Sequence, residues 1–201
     1  AAMSTTPATV AIALVLSTVF GVAAILYTVI AAITAFASML QHGTARESGP
    51  TLMIIVPIVT VLGILFLRQD HGLHVAFDVQ VQPGETMIFL ARLVSVQVAF
   101  LLLGAVVMRR QGYFRDFVIG SSTSPGSYAL VCPAVAFAVM IQFFLNKGLV
   151  AAGAVAQFGV AYWAVTAVAL VAQAIAIALV LRLNRQHFAR RSPAMDTVPA
   201  E

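Results

Sequence analysis

Residues 8–40 carry no charged side chain, and a run of that length leaves few folds open. A helix crosses the hydrocarbon of a bilayer in about 20 apolar residues. This stretch is therefore long enough to cross with a tilt or to project beyond the membrane. Four more apolar runs follow at about 50–67, 85–108, 125–144 and 155–183. Hydrophobic residues make up 61% of the 201 and charged ones 9%, well past the roughly half-apolar usage of soluble domains. The sequence predicts an all-α integral membrane protein of about five transmembrane helices. Residues 1–185 form one transmembrane domain, and 186–201 form a polar tail.

In such a chain, charge reports orientation first. The formal net charge is +4, and basic residues collect on the cytoplasmic side of membrane proteins. With the N-terminus outside, the inner side holds Arg46, Arg109, Arg110, Arg115, Arg182, Arg185, Arg190 and Arg191, and the outer side holds Arg68 and Lys147. That asymmetry predicts a cytoplasmic C-terminus. The opening AAMSTTPATV has no positively charged n-region and no separate cleavage site, so no signal peptide is expected. A single cysteine, Cys132, forms no internal disulfide.

Proline divides two of the spans. Pro57 lies near the middle of span two and Pro133 about eight residues into span four. Each removes a backbone donor and clashes with the carbonyl four residues earlier. In hydrocarbon a freed carbonyl needs protein or a water-filled cavity to receive it, so both helices are expected to be kinked and to line an interior. Between Arg68 and Gly84, Val75, Phe77, Val79 and Val81 alternate with polar or small residues, the pattern of an extended strand or hairpin. Arg109, Arg110 and Arg115 interleave with Tyr113, Phe114 and Phe117, as in a short amphipathic segment at the headgroup level.

Several functions are disfavoured. No histidine lies within a predicted span, so paired axial haem ligands are missing. No Asp or Glu lies deep in one, so a carboxylate proton relay has no residues to run on. Glycine-rich phosphate loops, nucleophile elbows and metalloprotease motifs are absent, so no enzymatic activity, cofactor, metal or nucleic-acid partner is expected.

PTLMIIVPIVTVLGILFLR (50–68), VVMRRQGYFRDF (106–117) and SYALVCPAVAF (127–137) resemble the second half of the tellurite-resistance/C4-dicarboxylate transporter family, which includes the plant slow-anion-channel proteins. The shared features are the mid-span proline, the basic-aromatic connector and the small-aromatic-Ala-x-x-x-Pro lead into a kinked helix. SPGSYALVCP (124–133) is similar to the TsoY branch, where selenocysteine or cysteine stands at this position. The resemblance implies a bacterial inner-membrane protein with ten helices, five of them kinked around a central pore, commonly assembled as trimers. Spans two and four would be inner helices. The family's pore-blocking phenylalanine precedes the kink proline, where this chain has Cys132, so that gate does not transfer. Five helices supply two of five pore-lining segments, which implies a homo-oligomer or a partner supplying the first half.

Together these readings predict conduction or transport of a small anion across the bilayer, with Pro57, Cys132, Pro133 and Phe137 forming the constriction and Arg92, Ser124, Gly126 and Ser127 drawing the anion in. Each has a plainer reading beside it. Buried cysteine is a small inert hydrophobe, Arg92 can snorkel to the interface, and Ser124-Pro125 is an ordinary helix start. Asp70, His71, His74 and Asp78 are metal-compatible residues in what reads as a solvated loop. Two other functions stay open. One is a structural subunit packing through Ala164, Ala167, Ala174 and Ala178; the other is thiol-redox chemistry at Cys132.

Overall fold

The computed structural model describes residues 6–43, 46–120 and 122–188. Ser121, Arg190, Arg191 and most of the polar tail lie outside the described residues. Five helices are long and apolar enough to cross a membrane: Pro7–Gln41, Glu47–Phe77, Pro83–Arg110, Pro125–Val150 and Val160–Phe188. No strand occurs among the described residues. The chain is a multi-pass helical membrane protein.

Helix α1 (Pro7–His42) opens with proline at its first turn, where the missing N–H costs no hydrogen bond. Its first half lies along α2 (Ile55–Phe77). There the absence of a side chain at Gly21 admits Leu65, whose Cδ2 would stand 2.8 Å from any added Cβ. Gln69 Nε2 donates to Ser17 Oγ at 2.9 Å and Thr18 Oγ1 at 3.3 Å. Beyond Gly21 the helix leaves the body of the chain, and through Leu40 only Thr28 and Met39 are partly covered.

The second span is a composite rod. A 3-10 turn, Arg46–Met53, precedes α2 and contains Pro50. At the other end α2 runs through Arg68, Asp70, His71 and His74 to Phe77, which corrects the strand or hairpin expected there. No proline lies between 68 and 77 and Gly72 is the one glycine, and each residue added to an existing helix gains a hydrogen bond. A lone two-stranded ribbon would have no such support. The stop is Asp78, left-handed at φ 52°, whose N–H bonds His74 O at 3.1 Å. Only 78–82 then separate α2 from α3 (Pro83–Arg110), which carries Glu85 in its first turn and Arg109 and Arg110 in its last, as the helix dipole favours.

The fourth span tightens at its start and widens at its end. It reads 3-10 over Pro125–Leu130, α over Val131–Phe143 (α4) and π over Phe144–Val150. Turns with Gly153 at φ 71° and Phe158 at φ 62° then lead to α5 (Val160–Phe188), which starts five residues later than expected. Helix α4 is central, packing on α2, α3 and α5. The seam with α5 is made by Ala138 and Ile141 against Ala169 and Ala172. Ala164, Ala167, Ala174 and Ala178, the small residues expected to pack on a partner, are exposed on the remaining face of α5.

At the end of the bundle where α3 finishes, Met53, Met108, Tyr113 and Leu130 form a closed cluster. The connector there is a π turn, Phe114–Ile119, held by the end of α5. Arg182 donates to the carbonyls of Val118 and Ile119, and Gln186 Nε2 to those of Gly120 at 3.1 Å and Ser122 at 2.7 Å. A Cβ on Gly120 would lie 2.6 Å from Asp116 O and 2.7 Å from Arg115 O, both backbone atoms with little room to yield. Gly120→Ala is therefore expected to destabilise the protein by about 1–3 kcal/mol, read as a lower thermal midpoint in detergent, with no loss from the same substitution at open Gly84.

Candidate functional site

The two proline-bearing rods are built alike and meet. In each, proline is the third residue of the α segment that follows a 3-10 turn: Pro57 in α2 and Pro133 in α4. The two 3-10 turns pack together, and so do α2 and α4. Three residues past each proline the rods are joined, for Thr60 Oγ1 lies 3.1 Å from Ala136 O. The same hydroxyl is 3.1 Å from Val56 O, so its one proton serves either carbonyl.

Helix α3 completes this crossing. Gln97, at the midpoint of Pro83–Arg110 and fully buried, donates through Nε2 to Thr60 Oγ1 at 2.6 Å and Val56 O at 3.1 Å. Its Oε1 has no hydrogen-bond partner. The crossing is thus a compact polar knot among α2, α3 and α4. Next to it Gly63 brings α2 close to Leu93 and Met140, whose side chains would meet an added Cβ at 2.5 and 3.0 Å. Neither Gln97 nor Thr60 was singled out from the sequence. A polar residue at the centre of one span, and another one turn past a mid-span proline, were the signals to follow.

The residues expected at a constriction take different positions. Pro133 is buried, while Cys132 beside it is exposed and Val135, one turn on, is 42% exposed. The most buried helix of the bundle therefore keeps an open strip beside the knot. Phe137, five residues and about 140° around the helix from Cys132, packs instead on the Ala138–Ile141–Ala169–Ala172 cluster. Pro57 is partly buried at its junction.

The anion-drawing set is not brought together. Arg92 is exposed on α3, 18 residues and about 27 Å from the end where Ser124 lies. Ser124 takes the N-cap position with extended backbone, but its hydroxyl caps nothing. Ser127 is fully buried, and its Oγ is 2.9 Å from the Tyr113 hydroxyl; Gly126 is exposed. Burial holds the Tyr113 phenol above its ordinary value; the Ser127 bond opposes that and the nearby Glu47 charge adds to it.

Asp70, His71 and His74 line a cavity of about 700 Å³ at the opposite end. Among the described residues no group of three or more His, Cys, Asp or Glu is placed to hold a metal. No protein-family model, curated protein or solved structure matches the chain.

Proposed function

We propose that the chain forms part of a transmembrane pathway for a small anion, running along the open strip of α4 that carries Cys132. The carrying observation is that strip. Helix α4 packs on three others, yet it leaves Cys132 and Val135 uncovered beside the Thr60–Ala136–Gln97 knot. A second copy, or a separate five-helix half, closes the pathway over this strip. In this reading Pro57 and Pro133 bend their rods at the 3-10 to α junctions, and Cys132 with its apolar neighbours narrows the path, gating by dewetting or rotation. The excess of arginine at the Tyr113 end supports a cytoplasmic C-terminus. It also favours anions over cations near that mouth.

The test is flux. Proteoliposomes holding a chloride-sensitive dye, with valinomycin and potassium to balance charge, are expected to dissipate chloride or nitrate gradients faster than protein-free vesicles. Rates no faster than in protein-free vesicles for chloride, nitrate and formate alike would remove the reading. The exposed alanine face of α5 then favours a structural subunit, tested by copurification of a partner that Ala174→Leu displaces.

A further inference from the structure

The cavity at the Arg68 end has no part in the pathway described so far. It is a half-open hollow bordered by the last turns of α2, the start of α3 and the π segment Phe144–Val150, and its volume is about 700 Å³. Two fixed cations line it from different helices, Arg68 and Lys147, together with the imidazoles of His71 and His74; Asp70 is the one carboxylate among the described lining residues. Leu67 and Phe143 give it an apolar wall.

Its construction is specific. Helix α4 changes to π geometry after Phe143, where bonds that span one more residue per turn re-aim the side chains that follow. That places Lys147 just before Gly148, which is buried so close to α3 that an added Cβ would lie 3.4 Å from Met87 Cα. The opposite wall is fixed by the turn after α2, where His74 Nδ1 is 3.3 Å from Val79 O and Gln80 Nε2 donates to Asp78 Oδ1 at 3.1 Å. Asp78 is thereby engaged within the turn. The cavity also stands over the rod crossing: Arg68 is eight residues past Thr60 and Phe143 seven past Ala136, about 10–12 Å along the helices.

We infer that this cavity binds an oxyanion, carboxylate or phosphate in kind, with Lys147 as its counter-charge beside the imidazoles of His71 and His74, and Leu67 and Phe143 against its apolar part. The inference rests on the anion reading for its place in transport, but binding is measured without flux. A free solute and the phosphate of an anionic lipid headgroup share this chemistry, and the experiment separates them. Inorganic phosphate is titrated into the detergent-solubilised protein by calorimetry. In parallel, thermal midpoints are compared in nanodiscs of phosphatidylcholine with and without phosphatidylglycerol.

Saturable phosphate binding that Lys147→Gln weakens about tenfold or more and Lys147→Arg largely keeps establishes a site for free oxyanion. Absence of phosphate binding, with a phosphatidylglycerol-dependent stabilisation lost in Lys147→Gln, establishes a headgroup site. Identical behaviour of wild type and Lys147→Gln in both arms overturns the inference. Lys147 is exposed, so its variants keep the fold, and a normal circular-dichroism spectrum verifies this. If binding holds while chloride and nitrate flux is absent, the site stands and the transport reading falls.

Discussion

Tyr113→Ala is expected to destabilise the protein by about 3–5 kcal/mol, the cost of emptying a fully buried aromatic site. Tyr113 has no exposed surface, and its ring is tilted against Phe117 at 5.0 Å between centroids and meets Phe114 edge-on at 6.2 Å. It also closes the cluster of Met53, Met108 and Leu130, in which four separate segments of chain meet. Tyr113→Phe keeps the ring and strands only the Ser127 hydroxyl, at about 1–2 kcal/mol. The two variants also differ from wild type in their pH dependence. Because the folded phenol titrates above its ordinary value of 10.0, its contribution is complete below about pH 10 and is lost as pH rises through the folded value. Denaturant titration at pH 8 and pH 11 should show that extra alkaline loss in wild type and not in Tyr113→Phe. Equal alkaline sensitivity would mean that the buried phenol is not its source.

Gln97→Glu is the second large effect, at about 3 kcal/mol or more at neutral pH. The substitution replaces the Nε2 donor that serves Thr60 Oγ1 and Val56 O with an acceptor, and puts a charge at the centre of a span. Gln97→Met is far milder, about 1 kcal/mol. The Thr60 hydroxyl still donates to Ala136 O, so no buried donor is stranded, and shape is nearly conserved. Unfolding in mixed micelles by SDS titration measures both. A Glu variant as stable as the Met variant would show that the crossing is wetter than its burial implies.

What hydropathy alone encodes came through: five runs long enough to cross a bilayer became five helices. Where the helices end was less legible. Helix α2 continues for ten residues past its apolar run because helix propagation does not stop at polar residues, only at the left-handed Asp78. In α5 the alanines named for contact with a partner lie on the exposed face, and the internal seam was not legible. Alanine, valine and leucine surround that helix, so no stripe marks the side that Ala169, Ala172 and Ala176 turn inward. The polar knot was hidden for another reason. Its bonds join residues 37 and 76 positions apart, and attention to charged residues passed over an uncharged glutamine. The two prolines stand where each rod passes from 3-10 to α winding, a junction that hydropathy does not mark.

The account depends on the open strip of α4 being wet. We would treat proteoliposomes with a small membrane-impermeant methanethiosulfonate and follow both Cys132 modification and anion flux. The expected result is modification of the folded protein with loss of flux, and a Cys132→Ala variant that conducts and is indifferent to the reagent. Modification only after unfolding, or modification that leaves flux unchanged, would contradict it.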